Sequence, residues 1–148
     1  MTTSFDPGQA GWQVLDASVF AKLIGPVWHR KSKEGMLYGL VVTDRQSDQN
    51  GFADDGALGT LLDCALELTS SEAQGGAKQA AISLNVQFIS PVQVGDFVVV
   101  ECQIVKTTPT VTFLQGTLRV GEMVCGAAHG TWRNDQPEPS VGDRLTDN

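Results

Sequence analysis

Basic residues are scarce in this 148-residue chain, with ten Lys and Arg against 17 Asp and Glu and a formal net charge of -7. A nucleic-acid partner calls for a basic stripe that releases phosphate counterions, and none can be drawn here. A small anionic ligand stays open, because one local cluster of bases can hold phosphates whatever the global balance. Cysteine is sparse too. Cys64, Cys102 and Cys125 are odd in number and widely spaced, with no CxxC pair to suggest a zinc knuckle or a redox dithiol. Buried free thiols in a reducing cytoplasm are the expectation. Histidine occurs only as His29 and His129, neither with ligand-spaced partners, so no metal site is expected. No apolar run approaches the ~20 residues that span a bilayer. The opening "MTTSFDPGQAGWQVLD" lacks both the basic and the apolar region of a signal peptide. G-x-S-x-G is missing, which leaves a serine-hydrolase route unsupported. These absences leave a cytoplasmic globular protein, 41% hydrophobic and 18% charged, long enough for a single core.

What is present is punctuated by Gly and Pro. Residues 1–16 read as a loose lead-in. "DASVFAKLIGPVWHR" then sets Val19, Phe20, Leu23 and Ile24 at helical spacing, capped by Asp16 or Ser18 and ended by Gly25-Pro26. Gly35 to Arg45 reads as the first strand. "QSDQNGFADDG", with a tight turn at Asn50-Gly51, leads into a long helix from about Asp55 to Ser71. Asp54 or Asp55 caps it, and Gly75-Gly76 lie beyond its end. Four β-rich runs follow: Ala80 to Ser90, Gly95 to Thr108, Thr110 to Gly121 and Glu122 to Arg133. Val120-Gly121-Glu122 reads as a hairpin turn. The first run alternates Ile82, Leu84, Val86 and Phe88 against Ser83, Asn85 and Gln87. Residues 135–148 read as a disordered tail. The order predicts an α+β domain over residues 17–134, with an antiparallel sheet wrapping one long helix.

That helix raises a chemical question. Gly56, Gly59 or Thr60, and Asp63 share one narrow face, while Leu58, Leu61, Leu62, Ala65, Leu66 and Leu68 cover the rest. Asp63 has no Lys or Arg three or four positions away, so no in-helix salt bridge can hold it. It either lies on a partly solvated edge or has a function, since burying a lone carboxylate is costly.

Three segments carry a resemblance: "NGFADDGALGTLLDCA", "AISLNVQFISPVQVGD" and "TLRVGEMVCGAAHGTWR". Together they resemble the hotdog-fold acyl-CoA thioesterases of the phenylacetate-degradation (PaaI-like) type, over roughly Gly35 to Arg133. That family has an Asn, a short loop, His-Gly-Gly at the helix start and an acid within the helix. A strand like S-x-N-x-x-F-x-x-P-x-x-x-G-D follows. Asn50, Gly56 and Asp63 match, as do Ser83, Asn85, Phe88, Pro91, Gly95 and Asp96. The departure is Asp54-Asp55 where the family has His-Gly.

The resemblance implies a hotdog fold, in which a long helix is wrapped by an antiparallel sheet. It also implies a homodimer or homotetramer with sites at the subunit interface. A coenzyme A thioester would be the substrate, with no further cofactor. Asp63 would be general base or nucleophile, and the Gly56 N–H the oxyanion donor. Asn50 would orient water or carbonyl, and Ser83 would reach Asp63 from the partner. Asp54, Asp55 and Ala57 would line the substrate-binding helix start. Asn50 reads equally as Asn-Gly turn chemistry and Ser83 as an ordinary strand residue. The alternative is a non-catalytic acyl-CoA-binding module that lost turnover with the His. Candidate phosphate contacts are Arg30, Lys31, Lys33, Lys78, Lys106, Arg119 and Arg133, among which the sequence does not choose.

Overall fold

The helix α1 runs over Asp55–Ala73 and starts where Asp54 leaves the extended conformation at φ -67°, ψ 138°. It ends at Gln74, where Gly75 (φ 71°) and Gly76 (φ 91°) take left-handed conformations that suit glycine. The Gly76 N–H returns to the Ser71 carbonyl at 2.8 Å and closes the last turn. The structure is a computed structural model, and it describes residues 5–135.

Seven antiparallel strands form one sheet: β1 (Gln13–Val14), β2 (Trp28–Ser32), β3 (Gly35–Val41), β4 (Gln79–Phe88), β5 (Phe97–Thr107), β6 (Val111–Val120) and β7 (Met123–Asn134). Their spatial order is β1-β2-β3-β5-β6-β7-β4. After α1 the chain therefore starts the far edge of the sheet, and β4 pairs only with β7. The helix lies against the inner face, as expected for a sheet wrapped around one helix. Leu61, Leu62, Ala65 and Leu66 are fully buried against Val98, Val100, Leu114, Leu118 and Trp132. Each such leucine contributes roughly 1.5–3 kcal/mol by leaving water. Gly116 makes the close approach possible, because a Cβ there would sit 3.3 Å from Leu66 and 3.5 Å from Leu62.

Four elements differ from expectation. The helix expected over residues 16–24 is a single 3-10 turn, Ala21–Ile24, with the Ala21 N–H bonded to the Ser18 hydroxyl at 3.2 Å. Val19 is 85% exposed, Phe20 67% and Leu23 63%. With no core under that face, so short a helix cannot offset its nucleation cost. β2 was hidden because "WHRKS" carries three basic or titratable side chains; only its pairing with β3 makes it a strand. The lead-in is also built. Asp6 caps a 3-10 turn over Pro7–Ala10, β1 pairs with β2, and Trp12 is buried. Phe5 and Trp12 close over Phe97, at ring centroid distances of 4.8 and 4.9 Å. In β4 the register shifts between Ala81 and Ser83, which turns Ile82 out to 56% exposure. Phe88 is 44% exposed, so only Leu84 and Val86 pack on the core. Of the tail expected from residue 135, all but Asp135 lies outside the described residues.

Candidate active site

A tied loop delivers the chain to the helix start. The Asp48 Oδ1 accepts from the Asn50 N–H at 2.7 Å and the Phe52 N–H at 3.1 Å, and Gly51 completes the turn at φ 83°. The Ala53 N–H donates to the Val92 carbonyl and the Asp54 N–H to the Gln46 carbonyl, both at 2.7 Å. Gln46 is buried. It bonds the Ile24 carbonyl through its Nε2 and receives the Thr43 N–H at 2.7 Å. Backbone hydrogen bonds thus place Asp54 at the start of α1, independently of its side chain.

Asp54 is the helix cap. Its Oδ1 accepts the Gly56 N–H at 2.8 Å, and its carbonyl accepts from the Ala57 N–H at 3.0 Å and the Leu58 N–H at 3.2 Å. Three of the first-turn donors are therefore engaged, including the one expected to bind an oxyanion. That leaves the Asp55 N–H as the first-turn donor with no partner among the described residues. The reason is ordinary capping chemistry: an exposed carboxylate satisfies an orphan N–H and sits at the positive end of the helix. Asp55 is exposed in the first turn, and Ala57 is buried.

Asp63 lies two turns further on, about 10 Å along the axis from Gly56. It is exposed, on the stripe of α1 turned away from the sheet, with Gly56, Gly59 and Thr60 above it. Although the residue as a whole is exposed, the protein packed on one side of its carboxyl removes part of the water around the charged form and raises its pKa from the usual 3.8. Glu67, one turn beyond on the same stripe, was not singled out in the sequence. It too is raised, first by burial, then by the charge of Asp63, with Lys78 opposing. The signal was available in "DCALE", where the two acids stand four apart. The Cys64 thiol, between them in sequence, is pushed up to about 11 by burial and then by Glu67 and Asp63.

The structure thus gathers Asp54, Asp55, Gly56 and Ala57 at the helix start, with Asn50 on the preceding turn and Asp63 down the exposed stripe. It does not bring Ser83 to Asp63 within one chain. Ser83 pairs with Thr131 and alternates with Leu84, which is on the core side, so it occupies the outer face of β4. A cavity of about 1280 Å³ lies elsewhere, between Thr69, Glu72 and Ala73 of α1, the β2–β3 turn and the open part of β5. None of the residues expected for catalysis or at the substrate-binding helix start lines it, but Lys33, one of the candidate phosphate contacts, does. Among the described residues no group of three or more His, Cys, Asp or Glu is placed to hold a metal ion. No helix among them is long and apolar enough to cross a membrane.

An antiparallel sheet wrapped around one long helix is the hotdog fold. The family model of the thioesterase superfamily matches residues 50–127, and the chain belongs to that superfamily, as a hotdog-fold thioester hydrolase. Solved structures agree in fold. Zebrafish thioesterase superfamily member 2 is 16% identical with a TM-score of 0.72, over 81% of this chain and 89% of that one. A Bacillus halodurans protein solved with CoA is 16% identical with a TM-score of 0.74, over 83% and 82%. The Escherichia coli PaaI protein of the phenylacetic acid degradation operon is 14% identical with a TM-score of 0.68, over 80% and 86%. No curated protein matches the sequence significantly.

Proposed function

We propose that the chain hydrolyses acyl-CoA thioesters with Asp63 as general base. One observation carries this reading: an acid stands on an exposed stripe of a helix whose core-facing side is packed on the sheet, and desolvation of its carboxyl raises its affinity for a proton. A base whose range is moved toward neutrality matches its task better than an ordinary carboxylate. Asp63 takes a proton from water, and the water oxygen bonds to the thioester carbon. The C–S bond then breaks, its electron pair leaves on the coenzyme A sulfur, and that sulfur takes the proton held by Asp63, which restores the base. Free acid and coenzyme A result.

The oxyanion formed on the way needs donors, and the start of α1 supplies them at the positive end of the helix. The Asp55 N–H serves directly, while the Gly56 N–H serves once the Asp54 carboxylate turns aside. Asn50 orients the water or carbonyl, and Asp54, Asp55 and Ala57 frame the thioester. Ser83 joins Asp63 from a second copy, in a homodimer or homotetramer. The free edge of β4 and the uncovered stripe of α1 support such pairing, since both leave groups that a partner would cover.

Hydrolysis of a panel of short, long and aryl acyl-CoAs, by the wild type and by Asp63→Ala, tests the reading. Turnover lost by at least a hundredfold in the variant is expected, within the usual range for a general base, about 10²–10⁴. Turnover that survives intact removes Asp63 from the mechanism. Acyl-CoA binding without hydrolysis by the wild type would favour a binding module instead.

A further inference from the structure

Two bases that the sequence offers for the coenzyme A phosphates, Arg30 and Arg119, both line a second cavity of about 440 Å³. That volume is within the range of small-ligand pockets, about 300–1,000 Å³. Its floor is the outer face of the sheet, where Leu37 and Val99 alternate with Tyr38, Val98 and Val100 of the core. The helix α1, with Asp63, packs on the other face. One wall is the folded segment before β1, whose Phe5 and Trp12 close on Phe97. We propose that this cleft binds a small aromatic carboxylate, with Arg30 and Arg119 holding its charge and the three rings its body. Binding there does not depend on the role of Asp63.

The side chains are placed for such a ligand. The Arg30 Cζ lies 4.9 Å from the centre of the Trp12 ring, and its Nη1 donates to the Ala10 carbonyl at 3.2 Å. These contacts fix the guanidinium at the rim and use one of its N–H donors; it makes no other hydrogen bond among the described residues. Arg119 is held loosely. Its Nε is 3.6 Å from the Glu101 Oε1, beyond hydrogen-bonding distance, and that N–H is shut off from water with no partner among the described residues. An orphaned charged donor gains by turning toward an acceptor, and a carboxylate can take two N–H groups of one guanidinium at once. Two guanidinium groups against the carboxylate of Glu101 leave one positive charge in the cleft, which matches a monoanion rather than a phosphate dianion. The rings stand 4.8 and 4.9 Å apart, tilted and edge-to-face, an arrangement that a further aromatic ring can join.

Titration with naphthoate, followed by the indole N–H signals of Trp12 and Trp132 in two-dimensional NMR, tests this. The Trp12 signal should move and saturate with a Kd of about 1 mM or tighter, while that of Trp132, in the core, stays still. Arg30→Met and Arg119→Met should each weaken binding at least about tenfold, as the loss of a charge-assisted hydrogen bond does. Glu101→Gln frees Arg119 from a competing carboxylate and should tighten binding severalfold, a gain that a misfolded variant cannot give. The saturated decalincarboxylate should bind a few-fold more weakly, and the uncharged naphthalenemethanol at least about tenfold more weakly. A Trp12 signal that naphthoate leaves unmoved, or a Kd indifferent to both arginine variants, overturns the proposal. So does displacement of naphthoate by coenzyme A, since the two arginines would then serve its phosphates.

Discussion

Three replacements of Asp54 separate its work as a cap from its charge. In the structure its Oδ1 holds the Gly56 N–H at 2.8 Å. Asp54→Ala removes an N-cap acceptor, which costs about 0.5–2 kcal/mol, and Asp54→Gly costs only a few tenths. Asp54→Asn keeps the acceptor and gives up the charge–dipole attraction, worth roughly 0.3–1 kcal/mol. For a chain of this length about 1 kcal/mol lowers Tm by roughly 2–4 °C. Thermal denaturation should therefore rank Ala as the least stable, with Gly and Asn near the wild type. Activity should rank differently. One oxyanion donor is worth about 10²–10³ in rate. Asp54→Gly frees such a donor and removes a carboxylate that repels the developing charge, so kcat/KM should rise at least about tenfold. Asp54→Asn removes the repulsion but leaves the donor occupied, so its gain is smaller. The assay follows coenzyme A release with a thiol-reactive chromophore. If Asp54→Gly shows the expected Tm and an unchanged or lower kcat/KM, the start of α1 is not where the oxyanion forms.

Asp63→Asn tests the raised carboxyl through stability. A group whose folded-state pKa lies above its unfolded value of 3.8 binds more protons when folded, so stability falls as pH rises through that window. The Asn variant should therefore be more stable than the wild type at pH 7 and equal to it near pH 3, by urea denaturation; solvent screening keeps the difference small. Gly130→Ala should destabilise the protein by about 1–3 kcal/mol. Its Cβ would fall 2.4 Å from the Trp132 ring and 2.8 Å from the Ser83 carbonyl. A wild-type midpoint in urea would show that the β4–β7 pair yields more easily than its geometry suggests. Cys64 and Cys102, both with thiols pushed up to about 11 mainly by burial, should resist iodoacetamide at pH 8 until the protein unfolds. Rapid labelling of the native protein, read by mass spectrometry, would contradict that.

What the sequence made legible was whatever repeats or is punctuated. The 3.6-residue pattern from Leu58 to Leu66 and the Gly75-Gly76 stop located α1 to within two residues. Alternation and turn residues located β4 to β7 to within two or three. β2 escaped because neither face of "WHRKS" is apolar enough to show a period; its strand character comes from β3, a partner that local sequence does not reveal. The 16–24 segment misled for the opposite reason: its apolar spacing was real, but no core waits beneath Val19, Phe20 and Leu23. At the site, Asp63 stood out as a charge without a partner. Glu67 stands four residues after Asp63 in "DCALE", a spacing visible in the sequence that a search for apolar periodicity passes over. The engagement of the Gly56 N–H by Asp54 is also beyond a sequence, which offers both acids as caps and does not say which side chain takes which donor.

The clasp of Phe5 and Trp12 over Phe97 has a practical side. It pins the chain from Phe5 onward to the outer face of the sheet, where the Phe97 ring covers the bare backbone of Gly39. The α1 stripe with Asp63 opens on the opposite side. A tether joined ahead of Phe5 should therefore fix the protein to a surface by the back of its sheet, leaving the helix free to meet thioesters in solution. Trimming into residues 5–12 would uncover Phe97 and should turn that quiet face into one that adheres.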